Sequence, residues 1–453
     1  MTEADVIIVG AGPAGENVAG RVAAGGLSCV VVESHLAGGE CSYYACMPSK
    51  ALLRPMELAD EVGRLPGLEL GPVDVAKVLA RRDEVIAHLD DSSQVEWITK
   101  QPATFVRGSG RVSGEREVEV TAPDGSVTTV RARRAVVLAT GSVPVLPPIK
   151  GLAEARPWGS REATTVKEVP ARLIVLGGGV VACEMAQALH ALGAGHTTMI
   201  VRGGRLLERN EPFAGELLAE SMRGKGIELL FGAEASEVSR AADGTVRVTL
   251  KDGRTLEADK LLVATGRKPA SHDGRPIEVD ESLRVPGSDW LYAVGDVNGR
   301  NLLTHMGKYQ ARICGDAIVA RARGQEPSVL DEADKYGAPQ VVFTDPQVCA
   351  VGRTEEAARA EGFDVRVVEY DLGQVSGAHL LGDGYQGRAK AVVDEGRKVL
   401  LGVTFAGPGV AELLHAATIA VTAEVPLERL WHAVPAYPTV SEIWLRLLEE
   451  YGL

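Results

Sequence analysis

One arrangement occurs twice in this chain and restricts its fold more than any other feature. A short apolar run leads into closely spaced glycines, then a helix of small residues, then a second apolar run ending on a charged residue. In the first copy Val6-Ile-Ile-Val9 precedes Gly10, Gly12 and Gly15, the helix reaches Ala24, and Cys29-Val-Val-Val32 ends at Glu33. In the second, Leu173-Ile-Val-Leu176 precedes Gly177 and Gly179, Ala182 takes the third glycine position, and Thr198-Met-Ile-Val201 ends at Arg202. Glycines at this spacing permit a tight turn. They also let a pyrophosphate approach the backbone amides at a helix start, where the dipole attracts negative charge. Two strand–helix–strand openings of this kind imply two dinucleotide sites.

Each opening has a similar tail. Residues Val118–Val130 alternate around a turn at Asp124-Gly125 before the run Val136–Gly141, and Val246–Leu250 turns at Asp252-Gly253 before Leu261–Gly266. Alternation around Asp-Gly reads as hairpins. From about Tyr336 the pattern changes to strand-like runs at Gln340–Phe343, Val365–Tyr370, Ala389–Val393 and Leu400–Phe405, then helices over Val410–Val421 and Val440–Glu450. Strands first and helices last predict a separate α+β domain. The expected fold class is therefore α/β, with two tandem Rossmann-like dinucleotide-binding domains and a C-terminal α+β domain. Between Pro48 and Ile98 the period is helical, with breaks expected at Pro55 and at Leu65-Pro66-Gly67.

Composition narrows the partners. The 453 residues carry 48 Lys and Arg against 61 Asp and Glu, a net charge of −13 with no basic block. That balance argues against nucleic acid or an anionic membrane surface as partner. The N-terminus runs from Met1-Thr-Glu-Ala-Asp straight into the first strand without a basic, apolar leader, so no signal peptide is expected. The longest apolar stretch, Leu173–Gly195, is interrupted by three glycines, Glu184 and His190, so no membrane span is expected. Six cysteines are too few for a disulfide scaffold, and a reducing, cytoplasmic compartment is the expectation.

The central motif is Gly38-Gly-Glu-Cys41-Ser-Tyr-Tyr-Ala-Cys46-Met-Pro-Ser-Lys50. In a regular helix Cα atoms five residues apart stand roughly 8–9 Å from each other. A disulfide needs them within about 7 Å. The Cys41–Cys46 segment must therefore tighten or kink if the sulfurs are to pair. A kinked turn opening a helix stabilises a thiolate through the dipole and a nearby cation, and Lys50 is placed to be that cation. A metal site would need two further ligands, with only His35 nearby, and two inert buried thiols remain a third reading. The redox pair is preferred.

The charged residues that end the two second strands differ. Glu33 suits a ribose diol, which offers two donors to a carboxylate. Arg202 instead favours the 2′-phosphate of NADP(H) over NAD(H), with Arg205 and Arg209 close enough to assist.

The pattern Gly-Gly-x-Cys-x₄-Cys-x-Pro-Ser-Lys between two dinucleotide fingerprints resembles the class I pyridine nucleotide-disulfide oxidoreductases. These include dihydrolipoamide dehydrogenase, glutathione reductase, mycothione reductase and mercuric reductase. Ala139-Thr-Gly141, Ala264-Thr-Gly-Arg267, Gly295-Asp296 and Val342-Phe-Thr-Asp-Pro346 with Val351-Gly352 extend the likeness over nearly the whole chain. The resemblance implies an FAD-binding domain from residues 1–150 and 268–335, an NAD(P)-binding domain from 151–267, and a dimerisation domain from 336–453. FAD is then held by Gly10, Gly12, Gly15, Glu33, Lys50, Thr140, Gly141 and Asp296, and Ala139, Arg267, Leu303, Thr304 and His305 are further cofactor-binding residues. The nicotinamide cofactor lies on Gly177, Gly179, Val180, Val181, Glu184, Arg202 and Gly266. Lys50 is expected to pair with Glu184. Cys46 is expected to face the flavin as the charge-transfer thiolate, and Cys41 to exchange with substrate.

One departure bears on activity. Disulfide-reducing relatives carry His-x-His-Pro-Thr-x-x-Glu near the C-terminus, supplied across a homodimer, whereas this chain reads Pro435-Ala-Tyr437-Pro-Thr-Val-Ser-Glu442. An ordinary tyrosine titrates near 10 and histidine near 6.5. A tyrosine at 437 therefore donates a hydrogen bond but is a poor base at neutral pH, and His432 is the nearest substitute. Mercuric reductases also place Tyr there but use a C-terminal Cys pair. Here the last cysteine is Cys349. Cys29, Cys183, Cys314 and Cys349 are expected to be packing residues, as are Tyr43 and Tyr44.

The expected activity is electron transfer from NAD(P)H through FAD to Cys41–Cys46 and on to a small acceptor such as a low-molecular-weight disulfide. The alternatives are a non-disulfide acceptor, such as mercuric ion or a quinone, and a low-turnover flavin-bound redox sensor.

Overall fold

The computed structural model describes residues 2–453. The chain divides into two compact units. The first gathers the segment up to Pro48 with Arg82–Val145 and Gly266–Asp334. The second gathers Ser49–Arg81, Leu146–Thr265 and Lys335–Leu453.

The first unit is built on a seven-stranded sheet. Thr2–Val9 is central and parallel to both Cys29–Glu33 and Val127–Leu138. Ala103–Arg107 extends one side, and Leu291–Ala293 pairs with Val127–Leu138 on the other. Because both faces are covered, the apolar runs read as continuous rather than alternating. Val6, Ile8 and Val31 bury on the helix side with Val18, Val22 and Ile318, while Ile7, Val9 and Val30 bury on the other with Val118 and Val120. The Pro13–Ala24 helix lies against the long Thr304–Ala322 helix, where Ala14 Cβ meets the bare Cα region of Gly307.

The second unit holds three sheets. Glu228–Phe231, His196–Val201, Arg172–Leu176 and Lys260–Val263 form a parallel sheet, the second nucleotide-binding plan. Ala235–Arg240, Val246–Leu250 and Thr255–Ala258 form an antiparallel meander. The C-terminal portion is a five-stranded antiparallel sheet, with the helices Leu414–Thr422 and Ile443–Tyr451 sharing its core through Ala417, Val421, Ile443 and Leu447.

The two copies of the nucleotide plan end differently. In the first, the hairpin return and the following sheet strand are one piece, Val127–Leu138. It is antiparallel to Glu117–Thr121 and parallel to Thr2–Val9. In the second copy the chain breaks at Asp259, whose carboxylate is held by Arg172.

Two sequence expectations need correction. The helix opening at Cys46 does not end at Pro55 but runs to Gly63. Leu52, Leu53 and Met56 are buried on either side of Pro55, and this packing outweighs the amide hydrogen bond that proline removes. The C-terminal helices also start later than their apolar patterns, since Val410–Leu413 and Val440–Glu442 are tighter single turns that precede them. Among the described residues no helix is long and apolar enough to cross a membrane.

Candidate functional site

The first unit forms a glycine cradle at the carboxyl end of the Thr2–Val9 strand. Gly10 has φ of 104°, and a Cβ there would stand 2.3 Å from the Ala139 carbonyl oxygen. A Cβ on Gly15 would stand 1.9 Å from the Gly10 oxygen. Packing alone demands these two glycines. Gly12 is different: its Cβ would meet only the Gly39 Cα, at 4.0 Å, so the approach over the helix start stays open. That bare surface, with backbone amides behind it, fits a pyrophosphate.

Glu33 serves the turn directly. One carboxylate oxygen accepts the Ala11 amide and the other the His35 amide, each at 2.7 Å. Each oxygen keeps acceptor capacity for a ribose hydroxyl.

Across the cradle the Thr140 hydroxyl donates to the Ala270 carbonyl at 2.9 Å, and Gly141 adopts the left-handed conformation. The Ser142 hydroxyl donates to Asp296 at 2.6 Å while accepting from Arg267 Nε at 2.7 Å. Burial pushes the Asp296 carboxyl above its ordinary range, against the Ser142 hydrogen bond and the Arg267 charge. Leu303 caps the Thr304–Ala322 helix, and His305 is exposed in its first turn.

The two motif cysteines sit at a break between helices. Gly39–Tyr43 is a short helix, Tyr44 leaves helical geometry with φ of −133°, and a new helix opens at Cys46. The expected kink is therefore present, and the Cys46 side chain lies within interaction range of Cys41. Cys46 Sγ also lies 3.3 Å from the Thr304 hydroxyl. The neighbouring Cys46 sulfur, then burial, raise the Cys41 thiol above its ordinary range, while Thr304 and the Lys308 cation oppose the shift. Tyr43 is buried and its hydroxyl donates to Gln94 at 2.9 Å. Burial first, then nearby carboxylates, push it up to about 12, so it packs the loop as an uncharged phenol. The other four cysteines are buried, and burial raises each of them, Cys29 and Cys349 to about 12. Among the described residues no group of three His, Cys, Asp or Glu is placed to hold a metal ion.

In the second unit, Lys50 Nζ stands 2.8 Å from Glu184 Oε2 and over the Phe343 ring at 4.8 Å. The other Glu184 oxygen accepts the Phe343 amide at 2.9 Å. A Cβ on Gly177 would stand 2.4 Å from the Ala264 oxygen, repeating the Gly10 arrangement. Gly179 has open space before the Val180–Ala191 helix, on which Val181 is exposed and Glu184 buried. Gly266, which belongs to the first unit, has φ of 127° and open space around it. Arg202 is exposed just beyond its strand. Arg205 donates to the Glu208 carbonyl at 2.8 Å, and its Nε is buried without a hydrogen-bond partner. The Glu208 carboxylate folds over Gly203, where a Cβ would stand 1.5 Å from Oε1.

The C-terminal pair is not brought together. Tyr437 is 73% exposed, while Glu442 is buried and tied to Arg446. His432 is exposed.

Residues 4–323 match the family model for pyridine nucleotide-disulphide oxidoreductases, and residues 338–447 match the dimerisation domain of those proteins. The chain belongs to this family. Dihydrolipoyl dehydrogenase of Chlorobaculum tepidum is 33% identical over 97% of this chain and 95% of its own length. Mercuric reductase of Staphylococcus aureus is 28% identical over 97% of this chain and 80% of its own length. The solved Cu(II) complex of RclA, an HOCl-induced flavoprotein disulfide reductase from Escherichia coli, superposes with a TM-score of 0.86. At 23% identity over 99% of both chains, it shows a shared fold.

As a pyridine nucleotide-disulphide oxidoreductase, the chain is an FAD-dependent enzyme that passes electrons between a pyridine nucleotide and a redox-active disulfide. Sequence reasoning missed three participants in these sites. Glu208 and the Phe343 amide enter only through folding. Lys308, whose charge reaches Cys41, has no motif to mark it.

Proposed function

We propose that this oxidoreductase uses NADPH to reduce a small disulfide, with Cys41 and Cys46 as the redox pair. The observation that carries this reading is the meeting of the two cysteine side chains at the helix break, with Cys46 Sγ 3.3 Å from the Thr304 hydroxyl.

FAD would rest on Gly10, Gly12, Gly15, Glu33, Thr140, Gly141 and Asp296. When bound it supplies a two-electron carrier between nicotinamide and the disulfide. Gly177, Gly179 and Glu184 would hold NADPH, with Arg202 and Arg205 toward its 2′-phosphate. The Cys41 thiolate attacks one sulfur of the acceptor disulfide, forming a mixed disulfide and releasing the first thiolate. The Cys46 thiolate then attacks Cys41, releasing the second thiolate and restoring the Cys41–Cys46 bond. Lys50, fixed by Glu184, keeps a positive charge in the second turn of the helix that Cys46 opens.

The exposed stretch around Trp431, Val434 and Tyr437, in a region matching the dimerisation domain, supports a homodimer. Tyr437 in place of histidine favours a second reading, in which the acceptor is a quinone or a soft metal ion and needs no histidine acid.

An acceptor screen tests the choice. Reduced holoenzyme is offered low-molecular-weight disulfides, quinones and mercuric ion, and NADPH oxidation is followed. Turnover with disulfides that disappears in Cys41→Ser supports the first reading. Turnover confined to quinones or mercuric ion replaces it with the second.

A further inference from the structure

In the second unit the Gln340–Val342 and Gln347–Gly352 strands pair antiparallel, and the turn between them runs from Phe343 to Pro346. The turn's backbone groups lie beyond the ladder and need other partners. One helix, Val180–Ala191, supplies them. Glu184 accepts the Phe343 amide at 2.9 Å. One turn along the same face, Gln187 answers both backbone groups of residue 345. Its Oε1 accepts the Asp345 amide and its Nε2 donates to the Asp345 carbonyl, each at 2.8 Å. A single carboxamide thus pairs with this residue as a neighbouring strand would. Gln187 is buried, so a lost bond is not readily replaced by one to water. The Ser221 hydroxyl adds a second donor to the Asp345 carbonyl at 2.6 Å but leaves the amide to Gln187.

The same turn holds the stretch of chain that carries Lys50. Lys50 meets it through Glu184 and through the Phe343 ring, 4.8 Å from the ammonium. Further along the Cys46–Gly63 helix, Glu57 accepts from Gln347 Nε2 at 2.8 Å. Just past the helix end, Arg64 donates to the Asp345 carboxylate at 3.1 Å. From Lys50 to Arg64 the chain is therefore tied to one hairpin at three levels. Gln187 is the buried side chain that fixes where the turn of that hairpin lies.

Resting on the reading of Lys50 as a charge beside the electron path, we propose that Gln187 is a positioning residue for reduction of the enzyme by NADPH. By clamping Asp345 it holds the Phe343 amide on one oxygen of Glu184, which leaves the other oxygen directed at the Lys50 ammonium. Without the clamp the Phe343–Pro346 turn is free to shift, Glu184 loses a fixed donor, and the lysine is released with it. The residue type matters. A carboxylate at 187 has no donor for the Asp345 carbonyl, and an aliphatic side chain has neither donor nor acceptor. Gln187 acts through Glu184 and Lys50 and itself exchanges no proton or electron.

The test compares Gln187→Leu, Ser221→Ala and Lys50→Met in the FAD-loaded enzyme by two readouts. The first is acetylation of Lys50 by acetic anhydride in the oxidised protein, at mildly alkaline pH, followed by mass spectrometry with the exposed Lys77 as internal reference. An ammonium held on a carboxylate is slow to acylate. Lys50 labelling should rise about fivefold in Gln187→Leu, the scale of one buried hydrogen bond, and stay at the wild-type rate in Ser221→Ala. The second readout is flavin reduction by NADPH in anaerobic stopped flow. Gln187→Leu should slow it about fivefold, and the double variant with Lys50→Met should be no slower than Lys50→Met alone, because both changes remove the same interaction. Gln187→Glu, which keeps the acceptor for the Asp345 amide, should fall between wild type and Gln187→Leu, and it takes the place of Gln187→Leu if that variant does not fold. Wild-type labelling in Gln187→Leu, an equal rise in Ser221→Ala, or a double variant slowed by the product of the two single effects would each reduce Gln187 to a packing residue and overturn the proposal. Labelling that rises in Gln187→Leu while Lys50→Met is reduced as fast as wild type would instead remove the underlying reading of Lys50, and the proposal with it.

Discussion

Lys50 and Glu184 form an ion pair at 2.8 Å, although 134 residues separate them, and the Phe343 amide satisfies the second carboxylate oxygen. The glutamate side chain is 4% exposed and the lysine 35%. The carboxylate is thus fixed from two sides, and the lysine can point its charge in only a narrow range of directions. Lys50→Met is expected to slow reduction of the enzyme by NADPH at least about tenfold, equivalent to 1.4 kcal/mol of barrier. Stopped-flow absorbance under anaerobic conditions reads this directly, and an unchanged rate would remove Lys50 from the electron path.

Nucleotide preference is expected to depend on Arg202 and on the carboxylate folded over Gly203. Arg202→Ala should raise KM for NADPH about tenfold with little change for NADH, since only the 2′-phosphate needs the cation. Glu208→Gln should lower KM for NADPH by removing a repelling charge from the same turn. Paired steady-state measurements with both nucleotides decide the matter, and equal effects on NADH and NADPH would show that these residues do not read the phosphate.

Lys390 is a buried cation in the second unit. It stands 2.8 Å from Glu211 and 2.7 Å from Glu355, with its side chain only 7% exposed. Lys390→Met leaves Glu211, itself 3% exposed, without its cation. Breaking such a pair costs about 3–5 kcal/mol. A fall in Tm of several degrees is expected, whereas a fall under one degree would show that the Glu355 amide, which donates to the Glu211 carboxylate at 2.6 Å, suffices.

Glu16 gives stability a pH dependence of unusual sign for a carboxylate. Its folded value is raised from 4.5 to about 7, so the folded state holds a proton more tightly than the unfolded chain. Stability is full below about pH 4.5, declines between there and pH 7, and stays reduced above. Glu16→Gln should therefore match wild type at pH 4.5 and exceed it at pH 8. The gain is roughly 1–2 kcal/mol, after discounting for partial exposure of the side chain. Thermal melts at the two pH values measure it, and equal Tm differences at both would contradict it.

Much of this architecture is written locally. Val6–Val9, the glycines and Glu33 lie within one supersecondary unit, so neighbours in sequence decide its shape. The break between Cys41 and Cys46 was legible from helix dimensions once the two sulfurs were taken to pair. What the sequence hid is long-range. The Phe343 amide reaches Glu184 only when the C-terminal sheet folds, and the Gln347–Gly352 strand escaped notice because its pairing with Val399–Gly407 is non-local. Pro55 misled because local propensity was overridden by burial of Leu52 and Met56. Glu16 follows Gly15 directly and resembles any solvated helix residue until its neighbours close over it.

The most direct measurement is an anaerobic titration of the FAD-loaded enzyme with NADPH, recorded across the visible spectrum for wild type, Cys41→Ser and Cys46→Ser. A long-wavelength absorbance band should appear in wild type as the first two electrons enter, be present in Cys41→Ser before any NADPH is added and fade as the flavin itself is reduced, and be absent from Cys46→Ser. Bleaching of the flavin at the first equivalent in all three proteins, with no such band in any, would contradict the assignment of Cys41 and Cys46 as the electron-accepting pair.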